Sequence, residues 1–176
     1  MLKTTCFDES IKVSIIGYPA VGKTTIVKML SQKEITKKYI PTAGFDLKTV
    51  KFGTYKLKVW DFGGQTHYIK TYLKDFILGS DLIFVVTDST PKNVLNSRHL
   101  VYEAKDIMLN DCPIIAIANK QDLCKKDGRM DFRRVEYLLH TKTIGLTATN
   151  SEERMNLMQT IENELNQVLK RKRLMK

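Results

Sequence analysis

No stretch of this sequence approaches the roughly 18 consecutive apolar residues that a membrane-spanning helix needs, so a helical integral membrane protein is not expected. The first ten residues, MLKTTCFDES, hold no apolar core of the kind a secretory signal requires, and the expectation is a cytoplasmic chain. Cysteine is scarce. Cys6, Cys112 and Cys124 are odd in number and match no metal-ligand spacing, so they read as reduced thiols, not as a disulfide framework or zinc site. Internal repeats and low-complexity tracts are lacking. So is any basic surface interleaved with aromatics, which leaves nucleic acid outside the expected partners.

What is present suits one globular domain with a full core. The chain has 176 residues, 43% hydrophobic and 27% charged. Its formal net charge of +10 reads either as a solvated basic surface or as attraction to an anionic partner. The only shift in composition is the terminal LKRKRLMK.

Apolar runs and helical periods alternate along the chain. Residues 11–16 read as a buried strand, 23–32 as a helix and 33–44 as a loop containing Pro41. Residues 45–52 and 55–60 flank Gly53-Thr54 and predict a hairpin. A helix is expected after Gly64, ending near Gly79. Strands over 81–87 and 113–118 enclose a helix over 93–110, with Leu95, Leu100 and Ile107 among its apolar positions. A helix near 131–140, a short strand near 143–147 and a long helix from Ser151 complete the pattern, the last start favoured by Glu152 and Glu153. Such alternation implies an α/β fold, a mostly parallel sheet covered on both faces.

Three motifs carry chemistry. Gly17-x-x-x-x-Gly22-Lys23-Thr24 lies between a predicted strand and a predicted helix. Backbone from Gly17 through Pro19, Ala20, Val21 and Gly22 would wrap phosphate oxygens, and Lys23, Thr24 and Thr25 open a helix whose positive dipole end faces the anion. Lys23 would reach the β- and γ-phosphates; the Thr24 hydroxyl would coordinate Mg²⁺. Pro19 removes one N–H from that cradle and stiffens it. Its substitution there reads as tolerated for binding, while its bulk beside Gln65 bears on hydrolysis. Trp60-Asp61-Phe62-Gly63-Gly64-Gln65 supplies a strand-end carboxylate, Asp61, for Mg²⁺. It also supplies a glycine, Gly64, whose N–H can approach a γ-phosphate, and Gln65 to orient the attacking water. The alternative is an ordinary Gly-Gly turn. Asn119-Lys120-Gln121-Asp122 names the base. The Asp122 carboxylate can accept hydrogen bonds from guanine N1–H and the exocyclic amine, donors that adenine does not offer there. Asn119 would tie this loop to the phosphate loop, and the Lys120 stem would cover the base.

Together these motifs resemble the small GTPases of the Ras superfamily, and within them the Arf/Arl family, over residues 11–168. Pro41-Thr42-x-Gly44-Phe45 is similar to that family's first switch and Trp60 through Gln65 to its second. The resemblance implies a three-layer P-loop NTPase domain whose six-stranded sheet has order 2-3-1-4-5-6, strand 2 antiparallel. Thr42 would then join Thr24 and Asp61 as a Mg²⁺ ligand. Thr147, Ala148 and Thr149 would form the last guanine-contacting loop, with the Ala148 N–H on the base. It further implies a GTP-hydrolysing switch with Gln65 and Lys23 as catalytic residues, and a hairpin over 45–60 that can slide in register. Effectors, exchange factors and activating proteins would read Thr42–Phe45, Trp60 and residues 62–79. A monomer is expected, divided into an extension (1–10), the GTPase domain (11–168) and a basic tail (169–176).

The pattern also departs from the family. Leu2 replaces the glycine of an N-myristoylation signal, the chain ends without a prenylation motif, and Asp75 stands near an effector-facing aromatic position. The tail, Lys170 to Arg173 with Lys176, either complements a helix dipole or attracts the chain weakly to an anionic membrane, peripheral at its cytosolic face. Two rival functions remain at this level: a structural GTP-binding membrane adaptor with little hydrolysis, favoured by Pro19 and opposed by Gln65, and a P-loop kinase, which leaves Asn119 to Asp122 without a role.

Overall fold

The computed structural model describes residues 10–35, 42–52, 55–109, 112–124 and 126–174. Pro41, Cys6, Lys176 and the extension over 1–9 lie outside them. Strand β1 (Ser10–Ile16) leads through the glycine loop into α1 (Lys23–Leu30). The hairpin of β2 (Phe45–Phe52) and β3 (Tyr55–Phe62) follows, then α2 (Thr66–Ile77), β4 (Leu82–Thr87), α3 (Pro91–Met108), β5 (Ile114–Asn119), α4 (Phe132–Leu139), β6 (Thr143–Leu146) and α5 (Arg154–Leu174). The sheet order is β2-β3-β1-β4-β5-β6. Only β2 runs antiparallel, as the resemblance implied.

Alternation along β1 sends Ile11, Val13 and Ile15 into one core and Ile16 into another. The first core lies under α1 and α5, with Ile26, Leu30, Leu157 and Ile161. The second lies under α2, α3 and α4, with Leu73, Ile77, Leu100, Val101 and Val135. Every residue of β4 is buried, which is why its sequence is a continuous apolar run, as central parallel strands require.

Several boundaries differ from expectation for local reasons. Helix α1 stops at Leu30, before the expected Gln32. Gln32 takes the left-handed conformation (φ 53°), while its N–H donates to Met29 O and that of Lys33 to Lys28 O. That closing turn usually carries glycine, so its glutamine concealed it. Strand β3 runs two residues past Trp60, because Asp61 and Phe62 pair with Asp46 and Phe45. Helix α3 begins at Pro91, not 93, since proline suits the first helical turn. Leu95, expected among the apolar positions of this helix, is 53% exposed. The last helix opens with a 3₁₀ turn, Ser151–Glu153, capped by the Asn150 side chain accepting from Glu152 N–H.

Parallel strands leave their carboxyl ends on one edge of the sheet. Gly17, Gly63, Ser89, Lys120 and Thr147 follow or close on five such ends, and that edge, next to the central β1, is where open α/β sheets bind ligands.

Candidate functional site

Gly17 to Gly22 turns sharply from β1 into α1. Ala20 lies in the left-handed region (φ 61°) and Gly22 at φ 103°. Pro19 and Ala20 are exposed at the loop tip, whereas Gly17 and Val21 are buried. Lys23 is 6% exposed, and its Nζ donates to the carbonyls of Gly17 (3.0 Å) and Tyr18 (2.9 Å). Burial depresses its pKa to about 8, with nearby Asp61 opposing the shift. The neighbouring Thr25 is half-buried on α1.

Thr24 begins the oxygen cluster. Its hydroxyl donates to Asp61 Oδ2 at 2.5 Å and lies 3.1 Å from the Thr42 hydroxyl. Asp61 is 1% exposed, and burial pushes its carboxyl up despite the Thr24 hydrogen bond and Lys23. Its second oxygen, Oδ1, is buried with no hydrogen-bond partner. A buried carboxylate oxygen is costly to leave unmatched. An all-oxygen set of two hydroxyls and a carboxylate suits a small, hard cation. These residues come from α1, the loop before β2 and the end of β3, and only the fold brings them together.

Gly64 closes the site from the second-switch side. A Cβ there would stand 2.5 Å from Tyr18 C and 2.6 Å from both Gly17 O and Lys23 Nζ, so only glycine admits this approach. Gln65 follows as the half-buried residue before α2, with no capping hydrogen bond from its side chain.

On the other flank, Asn119 is 2% exposed and joins two loops. Its Nδ2 donates to Val21 O (2.8 Å), and its Oδ1 accepts from Ala148 N–H (3.0 Å). The Ala148 N–H, expected on a base, is thus engaged by Asn119. Lys120, left-handed at φ 62°, stretches along the phosphate loop to donate to Ala20 O (2.9 Å). Asp122 and Thr149 are exposed and Thr147 buried, its N–H held by Glu153.

Sequence reading missed a supporting network. Gln121 donates to Ser89 Oγ (2.9 Å) and Met130 O (3.2 Å) and accepts from Phe132 N–H, while Ser89 Oγ donates to Asn119 O. Gln121 thereby fixes the loop that carries Asp122. The left-handed Ser89 (φ 66°) gives no sequence signal, since serine carries no strong preference there. Lys12 was missed too. Its Nζ donates to Phe76 O (2.6 Å) and Leu78 O (2.7 Å) and sits 4.9 Å from the Trp60 ring, tying the end of α2 to the hairpin.

The depressed Lys23 gives a pH prediction. Its folded pKa of about 8 lies below the ordinary 10.5, so between those values the unfolded chain binds more protons. The stability of the nucleotide-free chain is therefore expected to rise with pH across that window, by up to about 3 kcal/mol. Urea unfolding of the parent against Lys23→Met, from pH 7 to 10, isolates this component. An identical pH dependence in both proteins would refute it.

A six-stranded sheet in this order, with a glycine loop between β1 and α1 and a base-side loop after β5, defines a P-loop GTPase domain. Residues 1–170 match the ADP-ribosylation factor family, and the chain belongs to that family of GTPases. It is 32% identical over 133 residues to ADP-ribosylation factor-like protein 1 of Drosophila melanogaster, covering 74% of this chain and 71% of the relative. Identity to ADP-ribosylation factor-like protein 3 of Chlamydomonas reinhardtii is 34% over 114 residues, 64% of this chain and 63% of the relative. For ADP-ribosylation factor-like protein 1 of Saccharomyces cerevisiae the identity is 33% over 119 residues, 65% of this chain and 63% of the relative. The matched stretches thus span about two thirds of these relatives.

Proposed function

We propose that this chain is a GTP-binding and GTP-hydrolysing switch whose two nucleotide states control the docking of effector proteins, in membrane trafficking or signalling. The observation that carries the reading is the Thr24 hydroxyl, which donates to Asp61 and lies 3.1 Å from the Thr42 hydroxyl, beside an Asp61 oxygen that has no partner. Thr24, Thr42 and Asp61 would hold Mg²⁺, which supplies charge stabilisation to the phosphates when bound. Lys23 turns from the loop carbonyls to the β- and γ-phosphate oxygens, where it stabilises developing negative charge. The Gly64 N–H meets the γ-phosphate, and Gln65 beside it orients the attacking water. Asp122 reads guanine, and Thr147 to Thr149 close over the base.

Because Thr42 belongs to the loop leading into β2, a γ-phosphate that orders it also orders Gly44 and Phe45. Hydrolysis releases them. Effectors, exchange factors and activating proteins would engage Thr42–Phe45, Trp60 and the 62–79 region. Among the described residues no helix is long and apolar enough to cross a membrane. A cytoplasmic chain that contacts anionic membranes through its basic C-terminal residues fits the charge of α5. The family match favours this switch over the structural-adaptor alternative.

The test is equilibrium binding of a fluorescent GTP with ATP as competitor, followed by a single-turnover hydrolysis course. Tight Mg²⁺-dependent binding that ATP does not displace is expected. Phosphate release should then slow about 10²-fold in Gln65→Leu, the size of a lost water-positioning contact. Binding without hydrolysis would return the adaptor reading, and equal competition by ATP would overturn the assignment of Asp122.

A further inference from the structure

Strand β6 is an outer strand of the sheet and pairs with β5 alone. Along such an edge, successive backbone groups point alternately to the neighbour and to the outside. Ala116 N–H donates to Lys142 O at 2.8 Å, which fixes the phase. Residues 142, 144 and 146 therefore bond to β5, and Thr143, Gly145 and Thr147 turn their backbone groups outward. Two of these outward amides are capped by carboxylates. Glu136 accepts from Thr143 N–H (3.0 Å) and Glu153 from Thr147 N–H (2.7 Å). Gly145, between them, is exposed, and its N–H and C=O have no partner among the described residues. An unpaired edge of this kind is a template for another strand.

The space beside Gly145 has the shape of a strand. Phe132 of α4 lies against it from one face of the sheet, where a Cβ on Gly145 would stand 3.1 Å from the ring. Asn156, Leu157 and Thr160 of α5 form the wall on the other face. Between them runs a cleft of about 420 Å³, floored by β6. It occupies the position that a seventh strand would take, with a helix on either side. Gln121 and Glu153 line its end at the guanine loops. The local charge is acidic. Glu136 and Glu153 make no ion pair among the described residues. The nearby bases are engaged: Lys142 pairs with Glu164 at 2.5 Å, and Arg133 lies over the Phe132 ring at 5.8 Å.

We infer that the β6 edge is a docking slot for an extended segment of a partner protein, which pairs its backbone with Gly145 and sets Lys or Arg side chains against Glu136 and Glu153. A second copy of the chain is disfavoured, because joining two β6 edges brings the same carboxylates face to face. The slot also reaches the nucleotide. Glu153 holds the loop of Thr147 to Thr149, and Gln121 holds the loop of Asp122. A cation that draws Glu153 toward itself frees Thr147 N–H, so an occupied slot should hasten nucleotide release. Only this last step rests on the proposed guanine site.

The experiment pans a random linear peptide library on the full chain, with and without GDP. Recovered peptides are expected to carry Lys or Arg beside β-branched residues and to bind more weakly in added salt. N-methylating the residue that pairs with Gly145 should weaken them about tenfold, the size of a lost hydrogen bond. Asn156 is exposed on the wall of the slot, so Asn156→Trp should obstruct it and weaken binding at least about tenfold. An unchanged urea midpoint shows that this variant is folded. Glu153→Gln keeps an acceptor for Thr147 and should lose about threefold through charge alone. Bound peptides should speed the release of fluorescent GDP. Peptides that bind Asn156→Trp as well as the parent, that tolerate N-methylation at every position or that lack basic residues would overturn the inference, and so would an empty selection. Slot binding without faster release would refute the link through Glu153. If the chain bound no guanine nucleotide, the N-methyl and Asn156→Trp comparisons would still decide the slot, and the switch reading alone would fail.

Discussion

Replacing Gly22 by alanine is expected to destabilise the chain by about 4 kcal/mol or more and to abolish measurable nucleotide binding. Two costs combine. Gly22 sits at φ 103°, where an L side chain is strained by about 1–3 kcal/mol. A Cβ there would also lie 2.2 Å from Asn119 Nδ2, so Asn119 must leave its position. Its departure orphans Val21 O and Ala148 N–H, both in buried surroundings, at about 1–3 kcal/mol each. Gly79→Ala is the control. Its φ is +71°, yet nothing lies within 4 Å of the added carbon, so it should lose only about 1 kcal/mol. Urea unfolding of the two variants decides the matter: equal losses would mean that the interlock of Gly22 with Asn119 contributes nothing.

Asp122→Ala is expected to lower GTP affinity by about 10²–10⁴-fold while leaving ATP affinity unchanged. Two hydrogen bonds to a charged acceptor contribute about 1.5–3 kcal/mol each, and adenine makes neither. Because Asp122 is exposed and its loop is held by Gln121 and Lys120, removing the carboxylate should not disturb the fold. Unfolding midpoints should therefore match the parent. Competition between fluorescent GTP and unlabelled ATP gives the answer, and a variant that keeps its guanine preference would show that the base is read elsewhere.

Much of this architecture was legible in the residues. β-Branched runs at 11–16, 81–87 and 113–118 announced buried parallel strands, since only a doubly covered strand tolerates apolar side chains on both faces. The glycine spacing, the strand-end Asp61 and the Asn119 to Asp122 loop pointed to a nucleotide site, and the fold brings these loops to one edge of the sheet. Boundaries were less legible where an unusual residue took a special conformation, as Gln32 did at the close of α1. Leu95 misled because periodicity ranks residues by polarity and cannot see that this side chain faces solvent.

The sequence by itself determined the strand and helix types and named the side chains proposed to meet a nucleotide, because those follow from local periodicity and group chemistry. Tertiary structure decided which of those groups meet. Thr24, Thr42 and Asp61 are far apart in the chain, and the contacts of the Thr24 hydroxyl with the other two exist only because β3 lies beside β1 and β2 beside β3. The engagement of Ala148 by Asn119 and the support from Ser89 and Gln121 likewise depend on register and strand order. Long-range pairing sets these, and no local preference encodes it.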